Sequence, residues 1–234
     1  MIKAVLFDLD GTLLPMDQEV FIKTYFGLLA KRLAVFGYEP QKLIETVVGG
    51  TKAMAQNDGK KTNEEIFWNY FASVFGEKSR EDIVHFEKFY KEDFDKVQVS
   101  SGFSEKAAKV VEIVQGKGLK CVLATNPLFP RIATAKRIKW AGLNEEDFEF
   151  YTTYENSRYC KPNLKYYQEI LAQIGLEADE CVMVGNDVQE DMAAAQLGMK
   201  VFLLKDYIIN SKSQDISNLP QGGFDELIEF LKGL

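Results

Sequence analysis

The chain has 234 residues, 46% hydrophobic and 27% charged, with a formal net charge of −7. This content excludes a disordered chain, and the length suits one domain or two small ones with a substantial core. The acidic balance offers no bulk attraction to nucleic acid or anionic lipid and repels free phosphate esters, so phosphate chemistry needs a local cation site.

No stretch approaches the roughly 18 to 20 apolar residues of a membrane span. The opening MIKAVLFDLDG has one lysine and a short apolar run that stops at Asp8, without a signal peptide's long apolar core or its small-residue cleavage site. Cys121, Cys160 and Cys181 are scattered and odd in number, which points to neither a disulfide framework nor a zinc knuckle and fits a reducing cytoplasm. His85 is the single histidine, so mechanisms built on several histidines are excluded.

In chain order, residues 2–7 (IKAVLF) read as a buried strand ending in Asp8-Leu9-Asp10-Gly11-Thr12. From 20 to about 95 the pattern is helical. Phe21, Tyr25, Leu28, Leu29 and Phe36 repeat at threes and fours, as do Ile66, Phe67, Tyr70, Phe71, Val74 and Phe75 behind the capping-box pair Thr62 and Glu65. Ile83, Phe86, Phe89 and Tyr90 form a further stripe. These aromatic stripes read as the core of a helical bundle.

After about 98 the periods alternate. Ser104 is placed to cap a helix that stops at Gly116-Lys117-Gly118. Leu119 to Ala124 is a strand, a helix runs from about 130 to Gly142, and Phe148 to Thr153 is a strand. Pro162 opens a helix ending near Gly175. Then come a strand at 181–184, a helix at 188–197, a strand at 201–204, a polar loop at 205–223 and an amphipathic helix at 224–231. Strands alternating with helices imply an α/β fold, a Rossmann-like parallel sheet with helices on both faces. The expected layout is one α/β domain, 1–14 plus 98–234, interrupted by an all-helical domain at 15–97.

Ligands of open α/β sheets bind beyond the carboxyl ends of the strands. The residues there are Asp8 and Asp10 after the first strand, Thr125 and Asn126 after the second, and Gly185, Asn186 and Asp187 after the strand at 181–184, with Lys161 before the helix at 162. Taken singly, each has an ordinary reading. Asp8 to Gly11 has the composition of a surface turn. Asp187 and Asp191 suit the positive end of a helix. Lys161 is a solvated lysine, and Thr125 a strand-end residue. Together they bring carboxylates, a hydroxyl and an ammonium to one sheet edge. Two neighbouring carboxylates repel unless a proton or cation joins them, and Mg²⁺ is the hard divalent ion that oxygen ligands favour.

FDLDGTL at Asp8 and Asp10, LATN at Thr125, CKPN at Lys161 and VGNDVQED at Asp187 and Asp191, in this order, resemble the four motifs of the haloacid dehalogenase superfamily of phosphohydrolases. The likeness covers the α/β part from end to end, and the helical insertion resembles the family's small helical cap of the first class (subfamily I). Dehalogenating members lack the second aspartate, present here as Asp10. One departure stands out: many members place a metal aspartate directly after the glycine of the last motif, where this chain has Asn186, followed by Asp187.

The resemblance implies a Mg²⁺-dependent phosphomonoesterase acting on a small-molecule phosphate ester. Asp8 would be the nucleophile and Asp10 the general acid and base. Mg²⁺ would sit on the Asp8 carboxylate, the Asp10 carbonyl and Asp187, supported by Asn186 and Asp191. Lys161, Thr125 and the backbone near Leu9, Asp10 and Asn126 would hold the phosphoryl oxygens. The insertion would act as a lid, with Asp17 and the loop Gln56 to Lys61 as candidates to approach the substrate. A phosphomutase would share all four motifs, whereas a non-catalytic binding protein on this fold would be expected to lose one of the acidic or lysine positions. The sequence contains no GxxxxGK[S/T] or GxGxxG phosphate loop. It leaves the ester and the oligomeric state open.

Overall fold

The computed structural model describes all 234 residues. Six parallel strands form one sheet in the order β3-β2-β1-β4-β5-β6. They are β1 (Ala4–Phe7), β2 (Lys120–Leu123), β3 (Phe150–Tyr151), β4 (Cys181–Gly185), β5 (Lys200–Leu204) and β6 (Gln221–Gly222). Between β1 and β2 the chain runs through α1 (Gln18–Ala34), α2 (Pro40–Ala55), α3 (Asn63–Phe75) and α4 (Ile83–Glu92), then through α5 (Glu105–Gly116). The remaining helices are α6 (Arg131–Trp140), α7 (Leu164–Ile174) and α8 (Phe224–Lys232). No helix is long and apolar enough to cross a membrane.

The strands obey a period of two, and that period sorts the core. Val5, Phe7, Cys121, Leu123, Val182, Val184, Phe202 and Leu204 belong to one buried cluster, which continues through α5 and α8 into the aromatic interior of α1–α4. Ala4, Leu6, Val122, Ala124, Met183, Val201 and Leu203 belong to the other, with Tyr166, Tyr167 and Ile170 of α7. Within the helical layer, Phe94 lies 5.2 Å from Trp140 and 6.3 Å from Phe21, ring to ring, so its core is continuous with that of the sheet.

Backbone bonds pair the two chain segments that enter and leave the helical layer, and others join the start of α3 to the loop after β3. Where the chain enters and leaves, Asp17 N–H donates to Ser100 O at 3.0 Å and Gly102 N–H to Pro15 O at 2.8 Å. At the start of α3, Asn63 N–H donates to Ser157 O at 2.8 Å and Glu64 N–H to Tyr154 O at 2.9 Å. The fully buried Asn63 amide also reaches Pro127 O and Cys160 Sγ.

Several local expectations need correction. Thr62 and Glu65 do form the capping box of α3, but Ser104 makes no side-chain cap on α5. Helix α7 starts at Leu164 rather than at Pro162, because the Asn163 side chain accepts from Lys165 N–H and so supplies the cap. The helix expected at 188–197 is a set of turns and a 3₁₀ segment, Met192–Leu197. There the Asp187 carboxylate takes the N–H groups of Gln189 and Glu190 at 2.8 and 2.9 Å, which competes with a helical start. The loop at 205–223 contains β6, an edge strand too short to leave a side-chain period in the sequence.

Candidate active site

The chain order of the strands reverses at β1, which lies between β2 and β4. A crevice is expected beyond the carboxyl end at such a switch point. The register sets the level: Phe7 pairs with Leu123 and with Val184, Asp8 N–H donates to Val184 O at 2.9 Å, and Ala124 N–H donates to Phe7 O at 2.7 Å. Asp8, Thr125 and Asn186 therefore leave three adjacent strands at nearly one height.

Asp8 is buried and held from two sides. Lys161 Nζ donates to its Oδ1 at 2.8 Å and Thr12 Oγ1 to its Oδ2 at 3.1 Å. The same ammonium reaches Asp191 Oδ1 at 2.6 Å, so Lys161 bridges two carboxylates. Burial alone would lower the Lys161 pKa, but Asp191 and Asp8 together hold it well above the usual lysine value. Lys161 thus remains an ammonium with its side chain 1% exposed. Burial pushes the Asp191 carboxyl upward, with Lys161 opposing. Asp191 also accepts from Asp187 N–H at 2.9 Å, so it ties the loop to the lysine. A side chain at Gly185 would overlap the Asp191 carboxylate, which accounts for glycine there.

Asp10 faces away from the sheet. The turn closes through Leu14 N–H to Leu9 O and Gly11 N–H to Leu14 O, both 2.8 Å, and in a parallel bridge of this kind the central residue's own N–H and C=O are left free. Gly11, at φ +83°, permits the turn, and a side chain there would overlap Asn186. The backbone N–H groups of Leu9, Asp10 and Asn126 donate to no protein acceptor. Asp10 Oδ2 is paired with Arg137, while Asp10 Oδ1 is buried without a partner. Burial raises the Asp10 pKa; Arg137 opposes this and the nearby Asp8 adds to it.

Asn186 Oδ1 accepts from Thr12 Oγ1 at 3.0 Å, and Asn186 Nδ2 donates to Tyr207 O at 2.6 Å. Asp187 spends Oδ1 on two backbone N–H groups, and both residues line the cleft. No three His, Cys, Asp or Glu side chains converge as a metal cage. The donors present are nevertheless hard oxygens: the carboxylates of Asp8 and Asp187 and the unbonded Asp10 carbonyl. One or two carboxylates completed by water suit Mg²⁺, so the donor set fits that ion.

The cleft over these groups measures about 1080 Å³ and also contains Thr125 and Asn126. Asp17 and the loop Gln56 to Lys61 do not line it. Asp17 instead caps α1, accepting from Val20 N–H at 3.0 Å, and Asn57 Nδ2 donates to Lys61 O in its own loop and to Asn63 Oδ1 of α3, both at 2.9 Å. The walls come from Ile22 and Phe26 of α1, Val47 and Val48 of α2, Trp68 of α3 and Phe86 of α4.

Two lining residues escaped the sequence reading. Arg137 sits on the core-facing stripe of α6 with Thr134 and Ile138, is 1% exposed, and stacks its guanidinium 4.6 Å from the centre of the Phe129 ring. A basic residue on a buried helical face was the available signal. Glu190, which accepts from Asn126 Nδ2 at 3.0 Å, has its carboxyl pushed up to about 7, mainly by burial.

This sheet order, with an acidic cluster at the end of its first strand, defines a Rossmann-like α/β protein with its candidate site at the strand-end crevice. More narrowly, the chain belongs to the haloacid dehalogenase-like hydrolase family, which it matches over residues 2–198. No curated protein sequence matches it. Its fold is similar to that of a HAD phosphatase from Thermococcus onnurineus, at 21% identity and TM-score 0.60 over 99% of both chains. It is also similar to a 2-haloacid dehalogenase from Pseudomonas syringae pv. tomato DC3000, at 19% identity and TM-score 0.64 over 100% of this chain and 99% of that one. A third likeness is to the HAD-hydrolase YfnB from Bacillus subtilis bound to magnesium, at 16% identity and TM-score 0.56 over 98% of both chains. At these identities the likeness is one of fold.

Proposed function

We propose that the protein is a magnesium-dependent phosphomonoesterase acting through an aspartyl-phosphate on Asp8. The observation that carries this reading is the Asp8 carboxylate, backed by the buried Lys161 ammonium at 2.8 Å, beside a second carboxyl, Asp10, with one oxygen unpartnered. Displacement of a halide needs no such second acid, whereas departure of an alkoxide does.

An oxygen of Asp8 attacks phosphorus, the bond from phosphorus to the ester oxygen breaks, and Asp10 protonates that oxygen as it leaves. Water then attacks the phosphorus of the aspartyl-phosphate, Asp10 takes the water's proton, and Asp8 is released. The raised Asp10 pKa suits a group that starts protonated. Lys161, Thr125 and the free N–H groups of Leu9, Asp10 and Asn126 hold the phosphoryl oxygens as charge moves. Mg²⁺, held by Asp8, the Asp10 carbonyl and Asp187, would neutralise charge on the phosphoryl group and on Asp8. The segment 15–97 serves as the lid that excludes water and reads the leaving group.

The test is release of inorganic phosphate from a panel of small esters, with and without Mg²⁺, for wild type and Asp8→Asn. Metal-dependent release that Asp8→Asn abolishes with its melting curve intact supports the reading. Near wild-type release by that variant ends it. No release from any ester moves weight to phosphoryl transfer between positions of one substrate, as in a mutase.

A further inference from the structure

Two buried hydroxyls meet one carbonyl beside the cleft. The Tyr166 hydroxyl of α7 donates to Thr125 O at 2.8 Å, and Thr152 Oγ1, just past β3, donates to the same oxygen at 2.6 Å. Each of the two residues is 1% exposed. Burial pushes the Tyr166 hydroxyl above the usual tyrosine value, with the Lys161 charge opposing, so it stays a donor at neutral pH. A buried hydroxyl needs some acceptor, but the acceptor it takes decides what it fixes.

Here the acceptor belongs to the peptide that joins Thr125 to Asn126. That peptide is trans and planar, so its N–H points opposite to its C=O. Holding Thr125 O from two separate elements therefore sets the direction of the Asn126 N–H. This N–H donates to no protein acceptor, and Asn126 lines the cleft that contains Asp8. The rest of Asn126 is held as well. Leu128 N–H donates to Asn126 O at 2.8 Å, and Asn126 Nδ2 donates to Glu190 at 3.0 Å. A carbonyl that accepts two hydrogen bonds also polarises its own peptide, which makes the N–H a stronger donor.

We infer that Tyr166 and Thr152 are positioning residues of the phosphate site: their hydroxyls clamp the Thr125 carbonyl and so aim the Asn126 N–H at an oxygen of the transferring phosphoryl group. The inference rests on the phosphatase reading above. Neither residue lines the cleft, so both act only through the peptide they hold. A preorganised donor counts most where charge moves in the transition state, so the clamp should bear on turnover more than on binding of the ester.

Tyr166→Phe keeps the ring and removes the hydroxyl. With Mg²⁺ and the best small ester of the panel, it should lower kcat about tenfold, short of the roughly 10²- to 10³-fold cost of deleting an oxyanion donor, with KM changed about twofold at most. A spectroscopic reading is available beside the kinetics. Labelling threonine carbonyls with ¹³C and asparagine with ¹⁵N isolates two amides, those of Asn63 and Asn126, because Thr-Asn occurs at these two places. Inorganic phosphate with Mg²⁺ should move the Asn126 amide proton downfield in the wild type, and Tyr166→Phe should lose most of that shift. Thr152→Val should act in the same direction, and keeps the inference testable if Tyr166→Phe does not fold. Thr152→Ser, which restores the hydroxyl, should rescue both readings. Wild-type kcat in Tyr166→Phe and Thr152→Val, or an undiminished amide shift in them, overturns the inference and leaves the phosphatase reading standing. So does an Asn126 amide that phosphate leaves unmoved in a wild type that hydrolyses esters. An unmoved amide and no hydrolysis of any ester fell both.

Discussion

Arg137 and Asp10 lie 127 residues apart and meet as an ion pair at the mouth of the strand-end crevice. Arg137 takes one oxygen of the carboxyl and leaves the other, Oδ1, unpaired and buried. The guanidinium therefore fixes the orientation of the Asp10 carboxyl.

Arg137→Met should slow hydrolysis of alkyl phosphates by about 10²-fold, the usual worth of a well-placed general acid. Nitrophenyl phosphate, whose leaving group departs without a proton, should lose far less. Steady-state kinetics on the two esters checks this, and equal losses on both would show that Arg137 only supports the fold. The variant should also be less stable, because the bonds of the buried guanidinium to Asp10 and Thr134 are lost.

Lys161→Met removes the ammonium between Asp8 and Asp191. Loss of one partner of a buried pair costs about 3–5 kcal/mol, so the melting temperature should fall clearly. The double variant Lys161→Met, Asp191→Asn should regain part of the loss. In the wild type, the raised Lys161 pKa means the pair's contribution is fully present below the ordinary lysine value of 10.5 and fades only as pH rises beyond it. Guanidinium-induced unfolding at neutral pH measures the change, and a single variant as stable as wild type would show the bridge to be neutral.

Glu190 predicts a stability slope of its own. Its carboxyl is raised from 4.5 to about 7 in the folded chain. Between those values the native state holds a proton that the unfolded chain releases, so stability falls as pH rises across the window. Glu190→Gln should flatten the decline in melting temperature from pH 4.5 to 7. A slope identical to wild type would place the proton elsewhere.

Asp187→Asn should raise the Mg²⁺ concentration needed for half-maximal activity by at least about tenfold, with KM for the ester changed less. Chelation should abolish turnover, and added Mg²⁺ should restore it. An unaltered Mg²⁺ requirement would move the ligand role to Asn186, whose oxygen is held beside Asp8 by Thr12.

The parallel sheet was legible because β1, β2, β4 and β5 are buried on both faces and so read as apolar runs. β6 was not, since an edge pairing of two residues is made by backbone alone. Asp8, Thr125 and Asn186 could be grouped because strand ends share an edge, which is a property of the topology, whereas Lys161 joined them only through the motif order. The pairing of Arg137 with Asp10 depends on how α6 packs, and its helical period says only that residue 137 faces inward. Asp191 looked like a companion of Asp187 at a helix start. In the folded chain the local turn, driven by the Asp187 side chain, sends Asp191 inward to Lys161 instead.

The fastening of α3 has a mechanical consequence. The two linker segments pair at Pro15–Gly102, and α3 is bonded at Asn63 to Ser157, four residues before Lys161. A displacement of α3 that keeps its bond to Ser157 O therefore carries along the chain leading to Lys161, whose ammonium backs Asp8.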